Sequence, residues 1–212
     1  MGLATMEKLR RGERVMIVCI GDSITEQNFH LRGKLNYVGQ LAEKLIDTYG
    51  RKFLLLNAGV SGDTSWGVKD RLERDALRFA PDLVTVMLGM NDCQRGPEPL
   101  PEFRRNLETI VSRIAAAGSE ALLLTQNALD YNVREPAVLA RVHYPAYVEE
   151  LRRMAEETGT PLCDIGRAWE QRVGGATNMH LLLMNDGIHP GEAGHRLFAE
   201  TLFNYLGIEP TI

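Results

Sequence analysis

The sequence is poor in features that mark several classes of protein. Its three cysteines, Cys19, Cys93 and Cys163, are widely spaced and match neither a disulfide framework nor a set of zinc ligands. A scattered, odd set of this kind favours a reducing compartment, so we expect a cytoplasmic protein. No apolar run approaches the length of a membrane span, and the charged N-terminal residues do not resemble a signal peptide. We therefore expect no membrane span.

An excess of positive charge is also lacking. Lysine and arginine number 24 against 28 acidic residues, which gives a net charge of -4. Nothing in this balance attracts nucleic acid or an anionic membrane surface, so no nucleic acid partner is expected. Internal repeats, low-complexity tracts and linkers are absent too. With 212 residues, of which 44% are hydrophobic, the chain is predicted to form a single domain over residues 1–212.

What the sequence does contain is a regular alternation of short apolar runs and helical patterns. The predicted strands cover residues 15–19, 53–56, 82–88, 121–125 and 161–164. The predicted helices cover residues 37–49, 66–79 and 144–158, a segment after Pro101, and the C-terminal segment after Pro190. We expect the first two strands to be buried and the segment before Asn185 to be rich in loops. Alternating strands and helices predict an α/β fold with a parallel sheet between two helical layers, a three-layer α/β/α domain.

Chemically useful residues follow these strands. They are Ser23 after the first strand, Gly59 after the second, Asn91 after the third, and the Asp186/His189 pair in a late loop. The carboxyl ends of parallel strands lie at one edge of a sheet, so these residues can converge there. A serine hydroxyl needs a base such as histidine, and the base benefits from a carboxylate. Backbone N–H groups and an asparagine amide can stabilise the oxyanion that forms in acyl transfer.

Four blocks of sequence resemble the SGNH hydrolase superfamily, the GDSL-type esterases and lipases. They occur in the family's order and span nearly the whole chain: Gly21-Asp22-Ser23-Ile24, Asn57-Ala58-Gly59-Val60-Ser61-Gly62, Gly89-Met90-Asn91-Asp92 and Asp186-Gly187-Ile188-His189-Pro190. Ile24 conservatively replaces the leucine of the family motif.

The resemblance implies a flavodoxin-like five-stranded parallel sheet and a serine esterase that works through an acyl-enzyme intermediate. It implies that Ser23 is the nucleophile, His189 the general base and acid, and Asp186 the carboxylate that orients His189. The oxyanion hole would be formed by the backbone N–H groups of Ser23 and Gly59 and by the side-chain amide of Asn91. No cofactor and no metal ion are expected.

Other functions were weighed against these residues. A nucleotide- or flavin-binding module would need a glycine-rich phosphate loop, and residues 21–26 lack one and carry two acids. A metal site of Asp186, His189 and His195 is disfavoured, since the histidines are too far apart to share one helix face. A catalytically silent sugar-binding relative would be expected to have lost a residue of the triad. The run Leu181-Leu182-Leu183-Met184 favours core packing over a lipid groove.

The expected substrate is a short-chain, acetyl ester on carbohydrate. No long apolar insertion is present to build a trough for an acyl chain, whereas residues 27–36 are polar and include Asn28, His30, Arg32 and Lys34. The segments 71–75 and 81–92, with the overall length, resemble the intracellular xylan-oligosaccharide acetyl esterases of the superfamily, which are often homo-oligomers. Lysophospholipase, thioesterase and broad arylesterase activities stay open as alternatives.

Overall fold

A computed structural model describes residues 2–26 and 29–208, in which strands and helices alternate along the chain. The strands are β1 Val15–Gly21, β2 Phe53–Gly59, β3 Leu83–Met87, β4 Glu120–Leu124 and β5 Leu162–Cys163. The helices are α1 Ala4–Arg10, α2 Ser23–Glu26, α3 Tyr37–Tyr49, α4 Ser65–Asp75, α5 Leu100–Ala116, α6 Pro136–Leu139, α7 Tyr144–Thr158, α8 Ile165–Val173, α9 Thr177–Leu183 and α10 Glu192–Leu206. Short 3-10 helices cover Leu77–Phe79 and Asp92–Arg95.

All five strands belong to one parallel sheet, in the order β2-β1-β3-β4-β5. Helices α3, α8 and α10 pack together in one outer layer, and α4, α5 and α7 pack together in the other. The α/β three-layer fold is thereby confirmed. At the carboxyl end of β1, Gly21 lies beside Gly59 of β2 and Met87 of β3. The loops that follow these strands therefore start from neighbouring points on one edge of the sheet.

The central strand β1 is apolar on both faces because helices cover both. Ile17, Val18, Cys19 and Ile20 have no exposed surface. The prediction that the second strand is also buried is wrong. Strand β2 has a neighbour on one side only, and Leu54 is 51% exposed. A run of four apolar residues is compatible with either position, so the sequence pattern did not distinguish an edge strand from a central one.

Helix bounds were predicted well where caps mark them. Helix α3 begins after Asn36, whose side chain accepts hydrogen bonds from the N–H groups of Val38 and Gly39. Helix α7 ends at Gly159, which has a left-handed φ of 68°. The predicted helix 66–79 is broken at Ala76, where φ is -133°, and continues as a 3-10 helix. A 3-10 turn keeps almost the same apolar spacing as an α-helix, so the pattern did not reveal the break.

The segment predicted to be rich in loops instead contains α8 and α9. Asp164 caps α8 by accepting a hydrogen bond from the Arg167 N–H, and both helices pack against α10. The prediction of core packing for residues 181–184 is correct only in part. Leu183 is buried, but Leu181 and Leu182 are 53% and 70% exposed because α9 has only one face against the protein.

Two further expectations concern membrane-spanning helices and the number of domains. Within residues 2–26 and 29–208, no helix combines the length and the apolar character needed to cross a bilayer. The prediction of a single domain over residues 1–212 stays a prediction. The first residue of the chain and residues 209–212 lie outside the described ranges, as do Gln27 and Asn28 of the polar loop.

Candidate active site

Ser23 is the first residue of α2, directly after the end of β1. The chain can turn this sharply because Gly21 has no side chain: a Cβ at that position would lie 2.6 Å from the Met87 carbonyl oxygen. The Asp22 carboxylate accepts a hydrogen bond from the Ile24 N–H at 3.0 Å and so holds the first turn of α2. Ser23 is thereby held at the carboxyl edge of the sheet, with 8% of its surface exposed.

Ser23, His189 and Asp186 form a continuous hydrogen-bonded chain. Ser23 Oγ lies 2.9 Å from His189 Nε2. On the other side of the ring, His189 Nδ1 lies 2.9 Å from Asp186 Oδ2 and 3.1 Å from Oδ1. An ionised carboxylate can only accept, so Nδ1 carries the proton of the neutral ring and Nε2 is left to accept from the serine. This is the tautomer in which histidine can act as a base toward Ser23.

A tight turn holds Asp186 in this position. Its Oδ1 accepts hydrogen bonds from the N–H groups of Ile188 and His189, both at 2.7 Å. Partial burial raises the pKa of Asp186, but the hydrogen bonds from His189 and Ile188 outweigh this effect and keep the pKa well below its ordinary value. Asp186 is therefore ionised at neutral pH and can stabilise the positive charge that develops on the ring when it accepts a proton from serine.

His30 stacks on the outer face of His189. The ring centroids are 3.4 Å apart with an interplanar angle of 15°, and His30 Nδ1 lies 3.5 Å from Asp186 Oδ2. Burial and the neighbouring His189 lower the pKa of His30, although Asp186 acts in the opposite direction. A neutral His30 ring consequently covers the His189–Asp186 pair on its solvent side.

Beneath Ser23, the carboxylate of Asp22 is completely buried. Its Oδ2 accepts a hydrogen bond from Gln126 Nε2 at 2.8 Å and a longer one from Asn91 Nδ2 at 3.4 Å. Burial raises the pKa of Asp22 to about 6, against the effect of these hydrogen bonds. Asp22 thus links the Ser23 turn to the loop after β3, which carries Asn91.

Two of the three donors predicted to serve an oxyanion, the Gly59 N–H and the Asn91 amide, have partners within the protein. The Gly59 N–H donates to Asn57 Oδ1 at 2.9 Å. The Asn91 amide donates to the Asp63 carbonyl at 3.0 Å as well as to Asp22. Asn91 is only 8% exposed.

Arg71, on α4, forms hydrogen bonds to the ends of β1 and β2 and to the loop that follows β2. It is 8% exposed and donates to the carbonyl oxygens of Gly21 at 3.0 Å and Ala58 at 2.7 Å. Its Nε also donates to the Asp63 carboxylate at 2.6 Å. The ends of β1 and β2 are therefore held at a constant separation by a side chain on α4.

The histidines of the site could also hold a cation. Among the residues that the structure describes, His30, Asp186 and His189 present ligand atoms within 4.8 Å of one another. Two of these residues, Asp186 and His189, belong to the Ser23–His189–Asp186 chain, so a bound cation would compete for side chains of the triad. His195, considered from the sequence as a ligand beside Asp186, is buried, and its Nδ1 accepts a hydrogen bond from the Tyr37 N–H. The absence of a metal ion stays a prediction.

Cys93 lies close to the Asn91 loop but does not have the character of a nucleophile. Its side chain is fully buried and contacts the Met90 carbonyl oxygen at 3.2 Å. Burial raises its pKa to about 12, so the thiol stays protonated at neutral pH.

An open cavity of about 520 Å³ adjoins the triad and is lined by Phe29, His30, Arg32, Asn185 and Asp186. Phe29 is 87% exposed at its rim. The cavity therefore offers an aromatic face and polar side chains next to the His189–Asp186 pair.

The structure adds three residues that the sequence did not single out, and it gives His30, expected from the sequence in the polar substrate loop, a further contact. Gln126, Arg71 and Arg141 all hold the loops around Ser23, and His30 is in direct contact with His189. Gln126 follows the end of β4, so the strand-end rule that selected Asn91 would also have found it. No local pattern marks Arg71 or Arg141, because their partners are distant in sequence.

A parallel sheet with a hydrogen-bonded serine, histidine and aspartate at its carboxyl edge has the arrangement of a hydrolase that acts by acyl transfer. The chain belongs to the GDSL-like lipase/acylhydrolase family, whose model matches residues 19–197, and with it to the SGNH hydrolase superfamily.

Relatives and solved structures agree with this assignment. The chain is 27% identical to an acetylxylan esterase from Geobacillus stearothermophilus, over 95% of this chain and 97% of the relative. It is 29% identical to the esterase TesA from Pseudomonas aeruginosa, over 88% of this chain and 85% of that one. The crystal structure of a Geobacillus stearothermophilus acetylxylan esterase superimposes with a TM-score of 0.76 at 26% identity, covering 93% and 96% of the two chains.

Proposed function

We propose that the chain hydrolyses short-chain esters, acetyl esters of carbohydrate above all, with Ser23 as nucleophile, His189 as general base and acid, and Asp186 as the orienting carboxylate. The observation that carries this proposal is the continuous hydrogen-bonded chain from Ser23 Oγ through His189 to Asp186. A fixed separation of three residues links Asp186 to His189. The same separation links the aspartate and the histidine whose replacement by alanine gave catalytic mutants of the Geobacillus stearothermophilus acetylxylan esterase.

In the first half of the reaction, Ser23 Oγ attacks the carbonyl carbon of the ester while its proton passes to His189 Nε2. The tetrahedral intermediate collapses when the bond to the alcohol oxygen breaks, and His189 returns the proton to the leaving alcohol. Water then attacks the acyl group on Ser23, again giving its proton to His189. The carboxylic acid leaves and the Ser23 hydroxyl is restored.

The oxyanion would be stabilised by the N–H groups of Ser23 and Gly59 and by the amide of Asn91. The Gly59 N–H already bonds to a neutral acceptor, the Asn57 side-chain oxygen. The Asn91 amide bonds to the neutral Asp63 carbonyl at 3.0 Å and, through a longer bond of 3.4 Å, to the Asp22 carboxylate. A hydrogen bond to an ionised acceptor is roughly twice as strong as one between neutral groups, so an oxyanion can take these donors over in the transition state. Such bonds strengthen when charge develops, which is where they lower the barrier.

The carbohydrate part of the proposal rests on the cavity beside the triad. Its lining by Phe29, His30 and Arg32 combines an exposed ring with donors suited to hydroxyl groups. The acetylxylan esterase among the relatives points in the same direction. The TesA relative is an esterase whose name specifies no acyl chain, so acyl length has to be measured.

The decisive experiment compares wild type and Ser23→Ala on p-nitrophenyl esters from acetate to decanoate and on acetylated xylo-oligosaccharides. We expect turnover of acetate and of the acetylated sugars by wild type and none by Ser23→Ala, with both proteins equally folded by circular dichroism. Turnover that rises with acyl length would replace the acetyl-ester proposal by a thioesterase or lysophospholipase activity. Equal turnover in both proteins would remove Ser23 from the mechanism.

The Asn91→Ala variant tests the oxyanion assignment separately. Loss of one such donor costs on the order of 10²–10³-fold in kcat. An Asn91→Ala enzyme with the kcat of wild type would show that the Asn91 amide does not stabilise the oxyanion.

We also propose a cytoplasmic location and, as the resemblance to the xylan-oligosaccharide acetyl esterases implies, a homo-oligomer. The first is supported by three cysteines that are all buried and free. Detection of the protein in a periplasmic or secreted fraction would contradict the location. A single species of monomer mass in sedimentation would contradict the oligomer.

A further inference from the structure

Arg141 is a buried arginine whose partners lie in the candidate oxyanion loop. It follows α6, is 8% exposed, and uses all three guanidinium nitrogens as donors. Nε donates to the Met90 carbonyl oxygen at 3.0 Å, and Nη2 donates to the Asn91 side-chain oxygen at 2.9 Å. Nη1 donates to the Ala137 carbonyl oxygen at 2.6 Å, within its own segment.

None of these three acceptors is a carboxylate. Removing a cation from water is costly, and burial lowers the pKa of Arg141, although the nearby charges of Asp22 and Asp186 act in the opposite direction. An arginine that is hydrogen-bonded only to neutral oxygens therefore contributes little to the stability of the fold. The desolvation cost of Arg141 has to be offset by the use of its hydrogen bonds, which hold the backbone of Met90 and the side chain of Asn91 in place.

The guanidinium determines which end of the Asn91 amide faces Asp22 and the Asp63 carbonyl. Guanidinium groups donate and never accept, so the atom of Asn91 that faces Arg141 must be the oxygen. The amide nitrogen is then directed to the other side, toward Asp22 Oδ2 and the Asp63 carbonyl. A half-turn of the amide would bring an NH₂ group against the guanidinium. Gln94 also donates to the Asn91 oxygen, at 3.3 Å, but it is neutral and cannot impose the same cost.

The positive charge also affects how strongly Asn91 donates. A cation on the amide oxygen withdraws electron density from the amide, so the N–H on the opposite side becomes a better donor. The site is buried, which increases the effect by lowering the local dielectric.

We infer that Arg141 is a positioning residue for ester hydrolysis: by bonding Asn91 Oδ1 and the Met90 carbonyl, it holds the Asn91 amide with its N–H groups toward the oxyanion and polarises it. The inference rests on the oxyanion role of Asn91 in the proposed function. It assigns no contact between Arg141 and the substrate, so its effect must pass through Asn91.

The test is a double-mutant cycle on p-nitrophenyl acetate with wild type, Arg141→Ala, Asn91→Ala and the double variant. A misoriented Asn91 amide should reduce kcat no more than removal of the amide does. Arg141→Ala should therefore lower kcat roughly 10- to 100-fold. KM should stay within about twofold of wild type, because the ester is bound before the oxyanion forms. In the Asn91→Ala background, the further substitution Arg141→Ala should change kcat by less than about twofold.

Three controls separate positioning from a general structural effect. Low concentrations of guanidinium ion should restore part of the kcat of Arg141→Ala and none of that of the double variant. Arg141→Lys, which keeps the charge and is used in the same cycle if the alanine variant does not fold, should also lower kcat, since an ammonium lacks the planar fork that reaches both oxygens. Arg113→Ala removes a half-buried arginine that donates to the Lys69 carbonyl oxygen and should leave kcat unchanged.

The outcomes distinguish this inference from the proposed function. An Asn91→Ala enzyme with full kcat would overturn the oxyanion assignment and the inference with it. If Asn91→Ala is impaired but the Arg141 effect is equally large in its background, the proposed function stands and the positioning role of Arg141 is wrong. An Arg141→Ala or Arg141→Lys enzyme with unchanged kcat would overturn the inference in the same way.

Discussion

The glycine at the end of β2 offers the sharpest test of how the fold holds Ser23. Gly59 has no left-handed φ, so an alanine is allowed there by the backbone. It is excluded by space: a Cβ at this position would lie 2.2 Å from the Glu26 nitrogen and 2.6 Å from the Thr25 carbonyl carbon. Both atoms belong to the backbone of α2, the helix that begins at Ser23. The Gly59→Ala variant keeps its own N–H, so it tests spacing rather than the donor.

The expected magnitude follows from the overlap. Ordinary contacts begin at 3.4 Å, so α2 and β2 would have to separate by about 1.2 Å. A displacement of this size in a reacting group costs on the order of 10²-fold in rate. Overpacking of this kind costs about 1–3 kcal/mol, which in a chain of this length lowers Tm by roughly 2–12 °C. We therefore expect a folded, less stable protein whose kcat is reduced on the order of 10²-fold.

The measurement is kcat on p-nitrophenyl acetate together with thermal unfolding. Gly118→Ala is the matched control, since Gly118 lies at the opposite edge of the sheet and a Cβ there meets nothing within 4 Å. Its φ of 81° makes alanine unfavourable by about 1–2 kcal/mol, so stability falls without any effect on the site. If Gly59→Ala is folded and retains the kcat of wild type, the close packing of α2 on β2 does not hold Ser23 in place.

Other consequences can be tested with single variants. Asp186→Asn should lower kcat on the order of 10⁴-fold, because an amide can donate to His189 Nδ1 and favour the wrong tautomer; a loss below tenfold would contradict the assigned role. Asp164→Ala removes a helix cap and the partner of Arg152, and should cost about 2–4 kcal/mol in the free energy of unfolding at pH 7. Burial raises the pKa of Asp164, but the hydrogen bonds from Arg152 and other donors lower it by more. The pKa of Asp164 is therefore lower in the folded protein than in the unfolded chain. The Asp164 carboxylate therefore stabilises the folded state fully above about pH 4, and this contribution is lost as pH falls through the folded pKa. If wild type and Asp164→Ala differ in stability as much at low pH as at pH 7, this account is refuted. The three cysteines are buried with raised pKa values, so iodoacetamide should label them only after unfolding, as checked by mass spectrometry; rapid labelling of native protein would contradict their burial.

Much of the architecture could be predicted because local rules specify it. The apolar run of β1, the cap at Asn36 and the stop at Gly159 each act within a few residues, so α3 and α7 were predicted with the bounds that the structure has. The placement of Ser23 and Asn91 after strands follows from the rule that parallel strands end at one edge. Helices α1, α2, α6, α8 and α9 were missed. Of these, α8 and α9 are short helices stabilised by packing on α10, and that contribution is not local.

By itself the sequence determined the α/β class, the five strands and the five longest helices, and the residues capable of acyl transfer, since each depends on periodicity, turn chemistry or residue type. Only the tertiary structure decided how these residues are held. It brought His30 onto His189, buried Asp22 beneath Ser23, and placed Arg71 and Arg141 on the loops that carry Gly59 and Asn91. These contacts join residues that are distant along the chain. Their geometry depends on how strands and helices pack, which no local pattern in the sequence encodes.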